Sequence, residues 1–413
     1  MPDEPRKGSL LVIFLTVFID LLGFGIVLPL VPIYAASFAE DPHGWRLGLL
    51  MASFSIMQFV FAPVWGRLSD HWGRRPVLIV GLIGSVVFYT LFGVATVMKS
   101  LALLFVSRIG AGIAGATIPT AQAYIADSTS LEKRPKGMAL IGMAFGLGFT
   151  FGPLVAYLAV PSGSGDPGPW PGYAAAILSA LALLLAIFKL PESKHADSAT
   201  AARRIWDWQT FHEALRQPSI GLLLAAVFVC VFSFATYETT LSMLVKGGDA
   251  AAQMPFHFSF QQVCLTYAYI GLMLALVQGG IVRRLAGRVS EARLSVGGAI
   301  LETVGYGLMV LAVLQQSIGL VLGAAALVVG GFAMMHPSLN SLLSRRSDPQ
   351  KQGAILGVGQ SVSALARILG SGAGIPLLRQ RLDLPYYVSA AMMIVGLILL
   401  IAAARQGRDY GTT

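Results

Sequence analysis

The chain has 413 residues; 55% are apolar, only 12% are charged, and the mean hydropathy is +0.72. A soluble chain carries about 25% charged residues, so this balance excludes a disordered protein, a disulfide scaffold and an ordinary water-soluble enzyme. The formal charge of +9 fits either nucleic-acid binding or a membrane topology signal, and the distribution of Lys and Arg decides between them.

A helix needs about 20 apolar residues to cross a hydrocarbon core of ~30 Å. Twelve such runs are read near 9–33, 47–66, 76–97, 101–125, 137–160, 173–190, 219–245, 260–282, 293–314, 317–343, 353–377 and 385–404. None alternates with period two over ten residues, so a membrane barrel is not expected. The first run is too long for a signal peptide and carries Asp20. With the N-terminus placed in the cytoplasm, 22 of the 29 Lys and Arg fall in cytoplasmic segments and 5 in outer ones, leaving Arg108 and Arg367 inside helices. The positive-inside rule then places both termini in the cytoplasm. It also accounts for the basic charge without a nucleic-acid partner. Cys230 and Cys264 lie in apolar runs and imply no disulfide framework.

The longest polar connection, 191–218, separates six runs from six, giving an N-terminal bundle over 1–190 and a C-terminal bundle over 219–413. Trp206, Trp208 and Phe211 beside Arg203 and Arg204 suit a short interfacial helix, or equally a tether with aromatic anchors. The halves repeat. Gly66-Arg67-Leu68-Ser69-Asp70-His71-Trp72-Gly73-Arg74-Arg75-Pro76 after helix 2 corresponds to Gly280, Arg284 and Gly287-Arg288 after helix 8, with Arg284 where Asp70 stood. Asp127 lies eight residues after Pro119, and Arg345 eight after Pro337. The N-half thus places acids at two cytoplasmic helix ends where the C-half places arginines, and a parallel repeat of two six-helix halves rocking about a midplane site is a transporter architecture.

These residues resemble the major facilitator superfamily, and within it the drug/proton antiporters of the tetracycline-exporter type. Gly66 to Pro76 matches the signature between helices 2 and 3, and Asp20 to Pro29 the helix 1 pattern. Arg108 to Ala116 with Ala123 to Asp127 matches helix 4, and Gly142 through Gly152-Pro153 resembles the glycine-rich helix 5 motif of antiporters. The resemblance implies an all-α membrane protein of twelve transmembrane helices in two six-helix pseudo-symmetric bundles. It also implies a conformational latch made of Gly66, Asp70, Gly73, Arg74 and Asp127, with Asp70 near the start of helix 11 and Arg74 paired to Asp127. The glycines Gly66 and Gly73 are expected to make the tight turn. In helix 5, Gly142 with Gly146, and Gly148 with Gly152, share faces that allow close backbone approach, while Pro153 invites a kink.

Ionisable residues inside membrane helices are costly and face the interior. Asp20 lies about 16 Å into helix 1 at 1.5 Å per residue, and Arg108 in helix 4 is its candidate charge partner. A buried carboxylate can exchange a proton where an arginine cannot, so Asp20 is read as a proton carrier or as half of a structural pair. Glu302, nine residues past Arg293, aligns with a coupling acid of the tetracycline exporters. Where those exporters carry a helix 8 histidine and a helix 3 aspartate, Leu274 and Phe88 stand here. His336, before Pro337, matches the depth of Glu302 and is a candidate replacement for the missing histidine; a histidine bonded to a carbonyl loosened by the proline is the plainer reading. Glu238, a further proton-coupling candidate, and Arg367 form a candidate C-half pair with the cavity candidate Tyr237 alongside, although residue counts set them ~6 Å apart in depth. Gln58 matches a polar cavity position of the family. Phe24, Tyr124, Met143 and Phe145 are candidate cavity residues, or plain packing.

No metal spacing, nucleotide loop or nucleophile arrangement stands out. Gly110-x-Gly112-x-x-Gly115 lies inside a membrane helix with no strand before it. The expected function is export of an amphipathic, tetracycline-like or other drug-like compound in exchange for protons, by a monomer of a bacterial inner membrane. A nutrient or lipid transporter of the same fold, and a non-transporting receptor or scaffold, are the alternatives.

Overall fold

The structure, a computed structural model, describes residues 7–38, 41–129, 134–160, 168–193, 218–246, 255–285, 288–347 and 352–406; side chains are described for all but 7–9, 134–139, 218, 352–354 and 406. The expected interfacial helix around Trp206, Trp208 and Phe211 lies outside these residues. Among the described residues, twelve helices are long and apolar enough to cross a membrane. They are α1 Leu10–Phe38, α2 Trp45–Trp72, α3 Arg74–Val97, α4 Leu101–Asp127, α5 Leu140–Ala159, α6 Trp170–Lys189, α7 Ser219–Lys246, α8 Phe260–Leu285, α9 Glu291–Gln315, α10 Ile318–Arg346, α11 Ile355–Gln380 and α12 Leu384–Arg405. Large apolar side chains such as Leu158, Ile177, Phe188 and Ile398 stand more than half exposed, as lipid-facing residues do.

The internal repeat extends to the turns. The connections α3–α4 and α9–α10 are each a left-handed residue, Lys99 (φ 49°) or Gln316 (φ 52°), followed by a serine. Ser100 and Ser317 then accept from Leu103 N–H at 3.3 Å and Leu320 N–H at 3.5 Å, capping the next helix. Each serine also donates its own N–H back to the preceding helix, to Ala95 and Ala312, both at 3.1 Å.

The chain divides into two compact units. The first holds α1, α3 to α6, α2 from Ser53 onward and α8 up to Gly271; the second holds the start of α2 up to Ala52, the rest of α8, and α7 and α9 to α12. In the first, α1 and α5 meet backbone to backbone: a Cβ on Gly152 would lie 2.7 Å from Gly25 Cα, and one on Gly25 2.5 Å from the Gly148 carbonyl oxygen. The first part of α8 closes on α5 likewise, a Cβ on Gly271 falling 2.5 Å from Thr150 Cα. In the second, α9 and α10 cross at Gly298 and Gly331, each carbonyl standing where the other would carry a Cβ. Small residues let membrane helices approach this closely and gain dispersion contact that lipid cannot supply.

Two glycine expectations are corrected here. Gly142 and Gly146 do not take part in close packing; a Cβ on either meets nothing within 4 Å, so only Gly148 and Gly152 serve that purpose in α5. Gly66 does not turn the chain: it lies inside α2, which runs on to Trp72, and the turn rests on Gly73 alone, at φ +102°. The matching Gly280 likewise lies within α8, in a π-helical stretch Val277–Val282.

Within α5, Gly152→Ala is expected to lower stability by ~1–3 kcal/mol through overpacking, whereas Gly142→Ala, in open space, is expected to be neutral or slightly stabilising. Thermal unfolding of the two purified variants in detergent checks the contrast.

Candidate functional site

The loop after α2 is organised around one guanidinium. Arg74, at the start of α3, donates Nε–H to Asp127 Oδ2 at 3.0 Å and pairs through Nη1 with Asp70. Nη1 also donates to Ser69 Oγ at 2.6 Å, whose hydroxyl donates to the Gly66 carbonyl at 2.6 Å. Arg74 thus ties the ends of α2, α3 and α4 together. Sequence reasoning missed what holds Arg74 in place. Glu192, just past α6, accepts the backbone N–H of Arg74 at 2.9 Å, of Arg75 at 3.1 Å and of Ser193 at 3.0 Å. Its carboxylate caps α3 from across the unit, where the helix dipole favours a negative charge. A Cβ on Gly73 would lie 2.5 Å from Glu192 Oε2, which adds a steric demand for glycine to the conformational one.

Deeper in the first unit, the Asp20 carboxylate accepts from Ser179 Oγ at 3.2 Å, and Ser85 faces it as well. Arg108 is 2% exposed, and its guanidinium carbon sits 4.4 Å above the Phe54 ring, a cation–π contact. Its Nε and Nη1 have no hydrogen-bond partner among the described residues. No ion pair joins Asp20 to Arg108, the pairing that sequence reasoning suggested; Tyr89 lies near enough to feel both charges. Phe24 stacks on Phe54 at 5.0 Å and meets Phe149 edge-on at 5.9 Å. Gln58 Nε2 donates to the Gly115 carbonyl at 3.3 Å, next to the break that divides α4 after Gly115. Tyr124 and Phe145, read as candidate cavity residues, belong to the packed interior: Tyr124 is fully buried beside Leu78, Leu82 and Ala144, with Phe145 against the same cluster. Met143 is 47% exposed.

In the second unit, Glu302 is wholly enclosed, and neither of its carboxylate oxygens has a hydrogen-bond partner among the described residues. It owes this enclosure to the tight crossing of α9 on α10, where a Cβ on Gly331 would lie 2.7 Å from Glu302 Cγ. Tyr306, one turn on, meets Tyr237 edge-on at 6.2 Å, and both rings are buried. His336 is not joined to Glu302. It stacks on Phe332 at 5.1 Å, and the charge it feels is that of Arg367. Glu238 and Arg367 do meet, with a carboxylate oxygen 3.5 Å from Nη1. The lean of α7 and α11 brings together what residue counting had set apart in depth.

Two further contacts went unread in the sequence. Arg345 meets both oxygens of Glu291, at 2.9 and 2.8 Å, joining the start of α9 to the end of α10. Arg346 donates Nη1–H to Ser219 Oγ at 2.8 Å and to the Ala403 carbonyl at 2.9 Å, tying α10 to α7 and α12. Alternating basic and acidic residues at span ends give no hint of partners, because those partners come from helices 50 to 130 residues away. Among the described residues no group of three metal-type ligands gathers.

The profile of the Major Facilitator Superfamily matches residues 13–371. The chain belongs to this superfamily. It is a multi-pass integral membrane transporter whose substrate is a small molecule. It is 31% identical to the class C tetracycline resistance protein of Escherichia coli, over 96% of this chain and 94% of that one. It is 30% identical to major facilitator superfamily domain-containing protein 10 of Mus musculus, over 89% and 88%. The crystal structure of the human organic anion transporter MFSD10 superposes with a TM-score of 0.71 at 25% identity, covering 97% of this chain and 100% of that one.

Because Glu192 supplies the acceptor for three N–H groups at and near the start of α3, Glu192→Ala is expected to cost ~1 kcal/mol, the usual value of a lost helix cap. Glu192→Gln, which keeps one acceptor oxygen, is expected to cost less. Thermal unfolding of both variants in detergent measures the difference.

Proposed function

We propose that this transporter exports an amphipathic organic compound in exchange for protons, by alternating access, across a bacterial inner membrane with both termini in the cytoplasm. The observation that carries this reading is Glu302. An ionised carboxylate shut away from water with no partner costs several kcal/mol, so in this arrangement Glu302 holds a proton. Exposure to water on the other side of the cycle lets the proton leave, and the return of the acid to its enclosed place requires another. Asp20, held by two serine hydroxyls rather than by a permanent cation, is the second carrier. Arg74, Asp70 and Asp127 serve as the latch that opens and closes with the cycle.

The relatives support the cargo class. One is named for tetracycline resistance and another for organic anion transport. Both names point to organic compounds, and within the second unit the partly open stacked rings of Phe234 and Phe332 suit an aromatic cargo. The chain acts as a monomer in this reading, each copy holding both carriers.

In proteoliposomes loaded with a panel of amphipathic compounds, substrate leaving in one direction is expected to drive protons in the other. Glu302→Gln, which cannot release a proton, is expected to abolish that coupling and flatten the pH dependence of transport while the protein stays folded. Proton movement in the same direction as substrate would make this a symporter, and normal coupling in both Glu302→Gln and Asp20→Asn would remove the carriers assigned here. His336→Ala is expected to leave the pH profile unchanged, since His336 stands with Phe332 and not with Glu302.

A further inference from the structure

Three helices of the second unit each present a partly open face at one place. On α7, Phe234 and Glu238 are four residues apart and partly open, while Ala235, Thr236, Tyr237, Thr239 and Thr240 around them are buried. On α10, Phe332 and His336 are four apart and partly open, as are Met334 and Pro337, among buried Gly331, Ala333 and Met335. On α11 the Arg367 side chain is 38% exposed. Residues four apart share a helix face, so Phe234 with Glu238, and Phe332 with His336, each open on a common face.

The open side of α11 at Arg367 does not look onto lipid. Leu365 and Leu369, nearly half exposed, occupy the opposite face and serve that purpose. A guanidinium inside a membrane span turns to protein or to water, and Gln360, exposed and two turns earlier, continues the same polar stripe. The rings are ordered as well. Phe234 and Phe332 stack with centroids 3.9 Å apart and planes at 16°, and Phe332 and His336 stack at 5.1 Å and 16°. Three nearly parallel rings thus stand in a column beside the cation.

We propose that these faces of α7, α10 and α11 form a binding site for a planar aromatic anion, whose carboxylate is held by Arg367 and whose ring joins the Phe234–Phe332–His336 column. This deepens the transport reading above and rests on it for its cargo. The polarity follows from geometry. Arg367 is the more open member of the ion pair, 38% exposed against 13% for Glu238, so an incoming charged group meets the cation first. The pair is loose: at 3.5 Å it is well outside the 2.7–2.9 Å of a charge-assisted hydrogen bond. A planar carboxylate offers the guanidinium two parallel short bonds and so competes well with Glu238. A cationic ligand finds only the less accessible acid, already beside a positive charge. An offset ring added to an existing column keeps the stacking geometry aromatic groups prefer.

The test is equilibrium binding of 2-naphthoate, 2-naphthamide and 2-naphthylmethylammonium to the purified full chain in detergent, by titration calorimetry. The three ligands share a ring and differ in charge. Naphthoate is expected to bind at least tenfold tighter than the amide, and the cation weakest. Arg367→Gln is expected to erase the naphthoate preference, Arg367→Lys to keep part of it, and Glu238→Gln to tighten naphthoate by removing its competitor. Phe332→Leu is expected to weaken naphthoate and naphthamide by similar factors, leaving their ratio intact. Tightest binding of the cation, an unchanged ratio in Arg367→Gln, or no saturable binding of any of the three overturns the proposal. If a variant fails to fold, the wild-type ranking alone decides. Binding in detergent needs no gradient, so loss of proton coupling in proteoliposomes would sink the antiport reading and leave this one standing.

Discussion

A charge inside a membrane helix must be paired, wetted or neutralised, because hydrocarbon solvates none of it. The chain resolves this demand in a different way at each of its interior ionisable groups. Glu302 is enclosed without a partner, a state that suits the neutral acid. Asp20 is held by hydroxyls, which can serve either the charged or the neutral form. Arg108 lies over the Phe54 ring. Arg367 is half open beside Glu238. Glu302 and Asp20 are thus left without a permanent counter-charge, whereas Glu238 has one in Arg367, and the two arginines differ in that Arg108 is buried and Arg367 partly open.

The ends of the helices follow the opposite rule. There water is near, individual ion pairs contribute little, and their purpose is geometric. Arg74 gathers three helix ends through its side chain, while Glu192 gathers the start of α3 through its backbone. In the second unit Arg345 and Arg346 gather α7, α9, α10 and α12 by different contacts. The two units share a repeat in sequence and in their turns, yet their end contacts are built from different chemistry. A network of exposed pairs of this kind can be broken and remade at modest energy.

Between these layers the fold rests on glycine. At Gly25 with Gly152, and at Gly298 with Gly331, backbones approach too closely for any side chain. The second of these crossings also encloses Glu302. Packing and electrostatics are therefore not separate here: the contact that lets α9 meet α10 is the contact that encloses the Glu302 carboxylate.

The twelve spans and the repeat were legible in the sequence, because the bilayer imposes one length and one polarity on every spanning helix. The turn at Gly73 was legible in a short local signature, and the Arg74–Asp127 pair was implied by the family resemblance. Local spacing misled where it stood alone: Gly142 and Gly66 look like packing and turning glycines and are neither, because what a glycine meets is set by the neighbouring helix. The same holds for Tyr124, whose ring is core and not cavity. Only tertiary structure decided that Glu238 meets Arg367, that Glu302 has no hydrogen-bond partner among the described residues, that His336 stacks in a ring column, and that Glu192 caps α3 beside Arg74. Each of these depends on how helices far apart in the chain lean and rotate against one another. A periodic sequence records which face of a helix is polar; it does not record what that face meets.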